Sequence, residues 1–457
     1  MPGRLRLLWV IPHLPRRGVA AARERWWNLL ARLAPRHEIT LLAFVDDADV
    51  GSAGELPPGL ADVHLIPKQP WRPDDPLALL PKTVAGGFAS PALQAAIASR
   101  LAAGRYDIVQ YEYGEMANVI PGPAPRAILT VHQLAFAQEG PAWRTRRGDV
   151  GRAAVLLHRY LRELDFELAA VRRVDHVITM SPEDATRLRG FHPDLAISVS
   201  PCGVDCAEFR PPAARQTARD DLLVFVGHFG HPPNVDAAHV LAHDVLPRLG
   251  RSVRLRLVGR EPTSDVVALA RPGAVEVTGA VADVRPHLAG ASVFAAPVRF
   301  GTGMRGKVLE ALAMGTPVVT TSVGAEGLGA TPGRHLLVAD GADDFAAAVR
   351  RVLDDASLAA SLGAAGRALV EARFDWDVIA DAHDAIYDEV LRRPSRAVPV
   401  DDRRVPSLAA ACGRLGYLPG LGAGFALLGT RALRWHLRRL ARRHQARPVA
   451  RLAASAG

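Results

Sequence analysis

Cysteine is nearly missing from this 457-residue chain: Cys202, Cys206 and Cys412 are all there is. Three residues make no disulfide framework, and the Cys202/Cys206 pair lacks the second ligand pair that a zinc site of that type requires, so a reduced cytoplasmic setting fits best. Lysine is almost as scarce, with Lys68, Lys82 and Lys307 against many arginines. A lysine kept in such a background draws attention to itself. Long apolar runs are also missing. Leu5–Ile11 is too short for a signal h-region, and no stretch approaches the roughly 20 apolar residues of a membrane-spanning helix. The first βα turn has no G-x-G-x-x-G, which argues against a dehydrogenase.

The net charge of +9 is unevenly distributed. From Leu391 onward there are 14 Arg and 2 Asp, so the tail carries +12 and everything before it sums to −3. The body of the protein has no basic stripe with interleaved aromatics, and nucleic acid is not an expected partner. The tail gives a mixed signal. Leu415–Thr430 is uncharged but broken by five Gly and one Pro. Arg431–His444 reads as a basic helix with Leu433, Leu437 and Leu440 on one stripe. A helix lying on an anionic membrane surface and a solvated extension both fit, and Trp435 projects from the arginine side rather than from the leucine stripe.

What is abundant is alternation of strand and helix. Apolar runs at Leu5–Ile11, Glu38–Val45, Asp62–Ile66, Ile108–Glu112, Ala127–His132, His176–Met180 and Ile197–Pro201 predict strands. Helical periodicity falls between them, at Arg23–Leu33, Pro91–Ala103, Gly151–Arg173 and Pro182–Arg189, while 71–87 is Pro-rich and resists assignment. A second series follows from Leu222, with strands to Gly227 and at Arg254–Gly259, Val275–Gly279, Val293–Ala296 and Leu336–Asp340, and helices from Val235, Ser264 and Asp283. The expected class is α/β, with two doubly wound Rossmann-like domains facing across a cleft. The division is 1–205, 206–375, a helix over 376–392 returning toward the first domain, and the basic tail 393–457.

The most informative stretch runs from Ser292 to Thr321: strand, glycine loop (Gly301, Gly303, Gly306), helix to Met314, then Pro317-Val-Val. A helix starting from a glycine loop offers unpaired N–H groups and a positive dipole end, and Arg299, Arg305 and Lys307 lie beside it. That is an anion site. Glu310, on the same helix, is placed to accept hydrogen bonds from hydroxyls, and phosphate plus hydroxyls suggests a sugar nucleotide.

The ordered motifs resemble the GT-B fold of nucleotide-sugar glycosyltransferases, and within it the retaining group called glycosyltransferase family four. The resemblance is carried by Pro12-His-Leu-Pro with Gly18, Tyr106-Asp-Ile-Val-Gln-Tyr-Glu, Leu129-Thr-Val-His132, Pro201-Cys-Gly-Val-Asp205 and Pro233-Asn-Val-Asp236. Gly301-Thr-Gly-Met-Arg-Gly-Lys-Val-Leu-Glu310 and Ala313-Met-Gly-Thr-Pro-Val-Val319 are the most specific. Two positions depart from the family pattern. Thr302 stands where a Glu usually precedes Glu310 by eight residues, and His228 with a Pro-Asn pair stands where Arg and Lys usually hold the diphosphate. A subgroup with a basic glycine loop shares both changes.

The resemblance implies transfer of a sugar from a nucleotide diphosphate sugar to a glycan, glycolipid or metabolite acceptor, with retention and without metal or cofactor. It implies that Arg299 and Lys307 neutralise the leaving diphosphate, that Glu310 binds ribose, and that His132 contacts the donor sugar or assists the acceptor. Thr302 and the backbone of Gly303 and Met304 are candidates for the sugar hydroxyls. Val281 or Ala280 is placed for the base, and His228 for phosphate or sugar. Gly18 either lets the first loop approach phosphate or acceptor or is a plain turn glycine. Asp47-Ala-Asp49 matches a metal-binding Asp-x-Asp, but on the far side of a βαβ unit. A non-catalytic sugar-nucleotide-binding scaffold is the alternative, motivated by Thr302; an epimerase fits the order of motifs poorly.

Overall fold

The computed structural model describes residues 3–18, 21–46, 49, 56–68, 88, 90–104, 106–120, 126–139, 150–212, 221–301 and 306–395. The Pro-rich stretch 71–87, Asp47, the loop residues Thr302, Gly303, Met304 and Arg305, and the expected basic helix 431–444 lie outside them.

Among the described residues, thirteen strands form two sheets in which every pair is parallel. The first holds β1 (Arg6–Ile11), β2 (Glu38–Val45), β3 (Asp62–Pro67), β4 (Ile108–Glu112), β5 (Ala127–Val131), β6 (His176–Thr179) and β7 (Ile197–Val199), in the order β3-β2-β1-β4-β5-β6-β7. The second holds β8 (Leu222–Val226), β9 (Arg254–Val258), β10 (Val275–Gly279), β11 (Val293–Ala296), β12 (Val318–Thr320) and β13 (Leu337–Val338), in the order β10-β9-β8-β11-β12-β13. The expected two doubly wound Rossmann-like domains are therefore present. In each sheet the order reverses beside the first strand, and ligands of open parallel sheets bind in the crevice at such a reversal.

The apolar strands are buried on both faces, and successive side chains divide between them. Leu8 and Val10 join one core of the first domain, with Leu42, Phe44, Val109 and Leu129. Leu7, Trp9 and Ile11 join the other, with Leu41, Ala43 and residues of helix α1 (Ala21–Leu33). Helices start where side-chain caps allow. Ser90 and Ser181, each followed by proline, accept from Leu93 N and Asp184 N at 3.2 Å, opening α2 (Pro91–Ala103) and α4 (Pro182–Phe191). Between these lies α3 (Val150–Val171).

In the second domain, α5 begins at Pro232, three residues earlier than the apolar pattern indicated, because two prolines suit a first turn. It widens into π-helical turns over Val240–Val245 and tightens to a 3-10 turn at Leu246–Leu249. Pro247 has no N–H to give the carbonyl of His243, so the regular ladder cannot continue. The helix expected from Asp283 starts at Arg285, with the Asp283 carboxylate accepting from Arg285 N at 2.9 Å. β13 keeps only two residues of the strand expected over Leu336–Asp340. Then come α6 (Gly306–Ala313), α7 (Ala342–Asp354), α8 (Ala356–Arg373) and α9 (Trp376–Arg392).

Helix α9 belongs spatially to the first domain. Trp376, Ile379, Tyr387 and Val390 complete the core that contains α1. Arg36 on the α1 side pairs with Asp381 at 2.6 Å and Asp384 at 2.7 Å, and His37 with Asp384 at 2.8 Å. The chain thus crosses between domains twice, near Val204 and near Asp375. The crossings are bonded to each other, Val204 N donating to Phe374 O at 2.8 Å. Gly203 sits in that junction, where a Cβ would lie 2.7 Å from both Phe374 O and the Trp376 ring.

Candidate active site

The loops that follow β8, β9 and β11 and the start of α6 meet at the reversal point of the second sheet. Gly227 and Gly259 permit this: with Gly259 at φ 153°, a Cβ there would meet Gly227 O at 1.6 Å. Lys307, in the first turn of α6, donates to Asn234 Oδ1 and lies over the Phe225 ring, 4.7 Å from its centroid. Asn234 in turn donates to His228 O at 2.8 Å, so one amide ties the loop after β8 to the start of α6. Arg299 lies on the Asp236 carboxylate, Nε to Oδ2 at 2.8 Å. His228 pairs with Glu261 at 2.8 Å on the exposed rim, where Glu261 holds a positive φ of 54°.

Glu310 lies one turn beyond Lys307 and is partly buried. Among the described residues no side chain or backbone group donates to its carboxylate. Burial lifts its pKa to about 7; Glu24, across the cleft at the start of α1, adds to the rise, and Lys307 opposes it. Val281 packs its side chain on the core of the second domain, so its backbone is what it can offer a ligand.

On the first domain, His132 follows β5 at the carboxyl edge of the sheet. Its ring is stacked on Tyr113 (centroids 4.4 Å apart, planes 18°) and meets the edge of Trp26 at 5.7 Å. Nε2 lies 2.7 Å from Glu112 Oε2. Glu112 is fully buried; burial works against its charge, but the hydrogen bond and electrostatic attraction of His132, then the positive field of Arg25 and the Gln110 amide, outweigh burial and lower its pKa to about 2. His132 moves downward, from burial first, with Arg25 adding and Glu112 opposing. Glu112 is thus ionised and His132 neutral.

Gly18 has φ 67° in open space, a conformation that disfavours a side chain although nothing would clash. The loop it ends is pinned by Asp49, which takes Arg23 at 2.7 Å and Arg16 at 3.4 Å. The Asp-x-Asp match at 47–49 therefore has its second carboxylate buried against two arginines, 1% exposed.

The structure brings Lys307, Glu310, Arg299 and His228 to one domain edge and His132 with the Gly18 loop to the facing one. Sequence reasoning did not single out Asn234, Asp236, Arg25, Glu24 or Glu112 as site residues. Glu112 carried a usable signal: Gln110 and Glu112 are polar at i and i+2 in a strand that is otherwise apolar, so both occupy one buried face.

Residues 24–208 match the family model described as Glycosyltransferase Family 4, and residues 220–355 the one described as Glycosyl transferases group 1. A GDP-mannose-dependent alpha-(1-6)-phosphatidylinositol monomannoside mannosyltransferase of Mycobacterium tuberculosis is 34% identical over 221 residues, covering 42% of this chain and 55% of that protein. An MMP alpha-(1->4)-mannosyltransferase of Mycolicibacterium hassiacum is 26% identical over 390 residues, covering 76% and 91%. The chain spans 55 to 60% of the length of the first curated relatives it matches. Sucrose-phosphate synthase from Thermosynechococcus elongatus has a similar fold, with TM-score 0.65 at 21% identity over 85% of this chain and 99% of that one.

Proposed function

We propose that this chain, which carries the two domains of a GT-B glycosyltransferase of family 4 type, moves a sugar from a nucleotide diphosphate sugar to a hydroxyl of a glycan, glycolipid or metabolite acceptor, with retention. The observation that carries the reading is the placement of Lys307 and Glu310 one turn apart on α6, opposite His132. A diphosphate at the start of α6 meets Lys307 and the helix N-terminus, with Arg299 beside it, so the charge that develops on the leaving group has preorganised partners. The Glu310 carboxylate then accepts from the ribose hydroxyls. Neutral His132 offers a ring nitrogen to a hydroxyl in the cleft, orienting donor or acceptor.

In this reading the cations of the glycine loop do the work that a divalent ion does elsewhere, and a donor phosphate oxygen takes the acceptor proton. Among the described residues, no helix is long and apolar enough to cross a membrane. The basic segment 431–444 would hold the enzyme at the inner membrane face, beside a lipid-linked acceptor.

Thermal-shift screening against a panel of nucleotide sugars tests the donor site, because a ligand that binds only the folded state raises its melting temperature. Transfer is then measured for wild type, Lys307→Ala and Glu310→Ala. Stabilisation by a donor with turnover lost in both variants supports the reading. Stabilisation without turnover on any acceptor makes the protein a sugar-nucleotide-binding scaffold, and no stabilisation by any donor removes the donor site.

A further inference from the structure

We propose that Glu112 is the positioning residue of His132: its buried carboxylate fixes the imidazole as the Nε2–H tautomer, turning Nδ1 to the cleft as an acceptor, and Tyr387 of α9 fixes Glu112 through Gln110. The working role of His132 rests on the sugar-transfer reading above; the tautomer and its cause do not.

The carboxylate has four donors. Trp26 Nε1 at 2.9 Å and His132 Nε2 at 2.7 Å reach Oε2, while Gln110 Nε2 at 2.6 Å and Thr130 Oγ1 at 2.7 Å reach Oε1. An ionised carboxylate only accepts, so His132 Nε2 must carry a proton. The charged groups that face the imidazole are Glu112 from β4, Arg25 from α1 and Glu115 just beyond β4. Arg25 is 0% exposed, and its positive field favours an ionised Glu112 and opposes a charged imidazole. With one proton on Nε2, Nδ1 keeps its lone pair.

Among the described residues that nitrogen has no hydrogen-bond partner, and it is not among the fully buried orphaned atoms. Tyr113 and Trp26 fix the plane of the ring, which leaves the tautomer as the remaining choice. The tautomer is set from further back. Tyr387 donates its hydroxyl to Gln110 Oε1 at 2.7 Å, so the Gln110 amide must present its NH₂ to Glu112.

The test is nitrogen-15 NMR of histidine-labelled full-length protein, with the His132 signals identified by their loss in His132→Gln. The expected wild-type spectrum shows Nε2 protonated and Nδ1 bare, without conversion to imidazolium between pH 6 and pH 8. Glu112→Leu removes the acceptor of the Nε2–H and frees the ring to take either tautomer, so that Nδ1–H appears; transfer falls about 10- to 100-fold while donor KM moves less than about twofold. If that variant does not fold, the wild-type spectrum decides alone. Nδ1–H or imidazolium in the wild type, or an unchanged tautomer in a folded Glu112→Leu, overturns the proposal. Should the tautomer swap while transfer stays intact, the role of His132 in transfer fails and the positioning by Glu112 stands.

Discussion

Arg299 and Asp236 form a bidentate pair at the edge of the candidate donor site, with Nε 2.8 Å from Oδ2, whereas Lys307 next to them is held by the neutral amide of Asn234. The two cations that looked equivalent in sequence are therefore not equivalent in the fold. A phosphate must share Arg299 with a carboxylate already in place, whereas at Lys307 it meets an ammonium that donates to a neutral amide. Lys307→Ala is expected to weaken nucleotide-sugar binding by about 10- to 100-fold and Arg299→Ala by less than about fivefold. Isothermal titration with the donor found by thermal shift measures both. A larger loss in Arg299→Ala would reverse the assignment.

Glu310 titrates at about 7, so its charge changes within the working range. In the proposed donor site the ribose hydroxyls would bind the ionised form, and below pH 7 that form must first be regenerated. Donor affinity should fall by up to about tenfold per pH unit between pH 7 and pH 5.5, and Glu310→Gln should remove the dependence. The effect on folding has the opposite sign. A carboxyl whose folded pKa lies above its ordinary 4.5 binds more protons folded than unfolded, so it weakens the fold as pH rises from 4.5 through 7. At pH 8 without donor, Glu310→Gln should therefore melt a few degrees higher, about 1 kcal/mol.

His383 lies fully buried between Arg25 Nη2 (3.2 Å) and Ser200 Oγ (3.0 Å). Burial first, and Arg25 second, push its pKa down to about 3. The unfolded chain takes up this proton near the ordinary 6.5 and the folded chain does not, so the stability concerned is full above that value and is lost as pH falls toward 3. Urea midpoints measured from pH 7 to pH 4.5 should fall more steeply for the wild type than for His383→Gln, which keeps a hydrogen-bonding side chain without a titrating ring.

Gly259→Ala should be severe. The added Cβ meets Gly227 O at 1.6 Å, backbone against backbone, and neither strand end can retreat without breaking the pairing of β8 with β9. A loss of at least about 3 kcal/mol is expected, with the thermal shift by donor abolished. Gly18→Ala, which meets no atom, should cost about 1 kcal/mol and leave donor binding intact.

Flotation with liposomes containing anionic lipid compares the full chain with one ending at Arg393. The full chain should float and the truncated one should not, with binding lost at high salt. Equal behaviour removes the membrane-surface reading.

Much of the scaffold was legible because parallel strands covered on both sides are unbroken apolar runs. β2, β4, β10 and β11 begin and end at the expected residues, as does α2. Features set by distant partners were not legible. Nothing local marks the π-helical turns at Val240–Val245 beyond one proline, and nothing local shortens β13 to two residues. The site followed the same rule. Glu310 and Lys307 announce themselves by spacing from the glycine loop. The meeting of Glu112 with His132, and of Gln110 with Tyr387 across 277 positions of sequence, needs the sheet and α9 assembled first.

The return of α9 to the first domain also bears on how the protein is made. A ribosome releases the strands of the first sheet early, but the surface that α9 covers stays open until Arg392 has emerged. That is roughly 190 residues after Pro201, an interval of about 10 to 40 s at ordinary elongation speeds. Throughout it Trp26, Leu29 and Leu33 lack their final cover. Until α9 arrives the first half of the nascent chain exposes apolar surface of the kind that chaperones bind, and its hydrogen-bond chain to His132 closes only then.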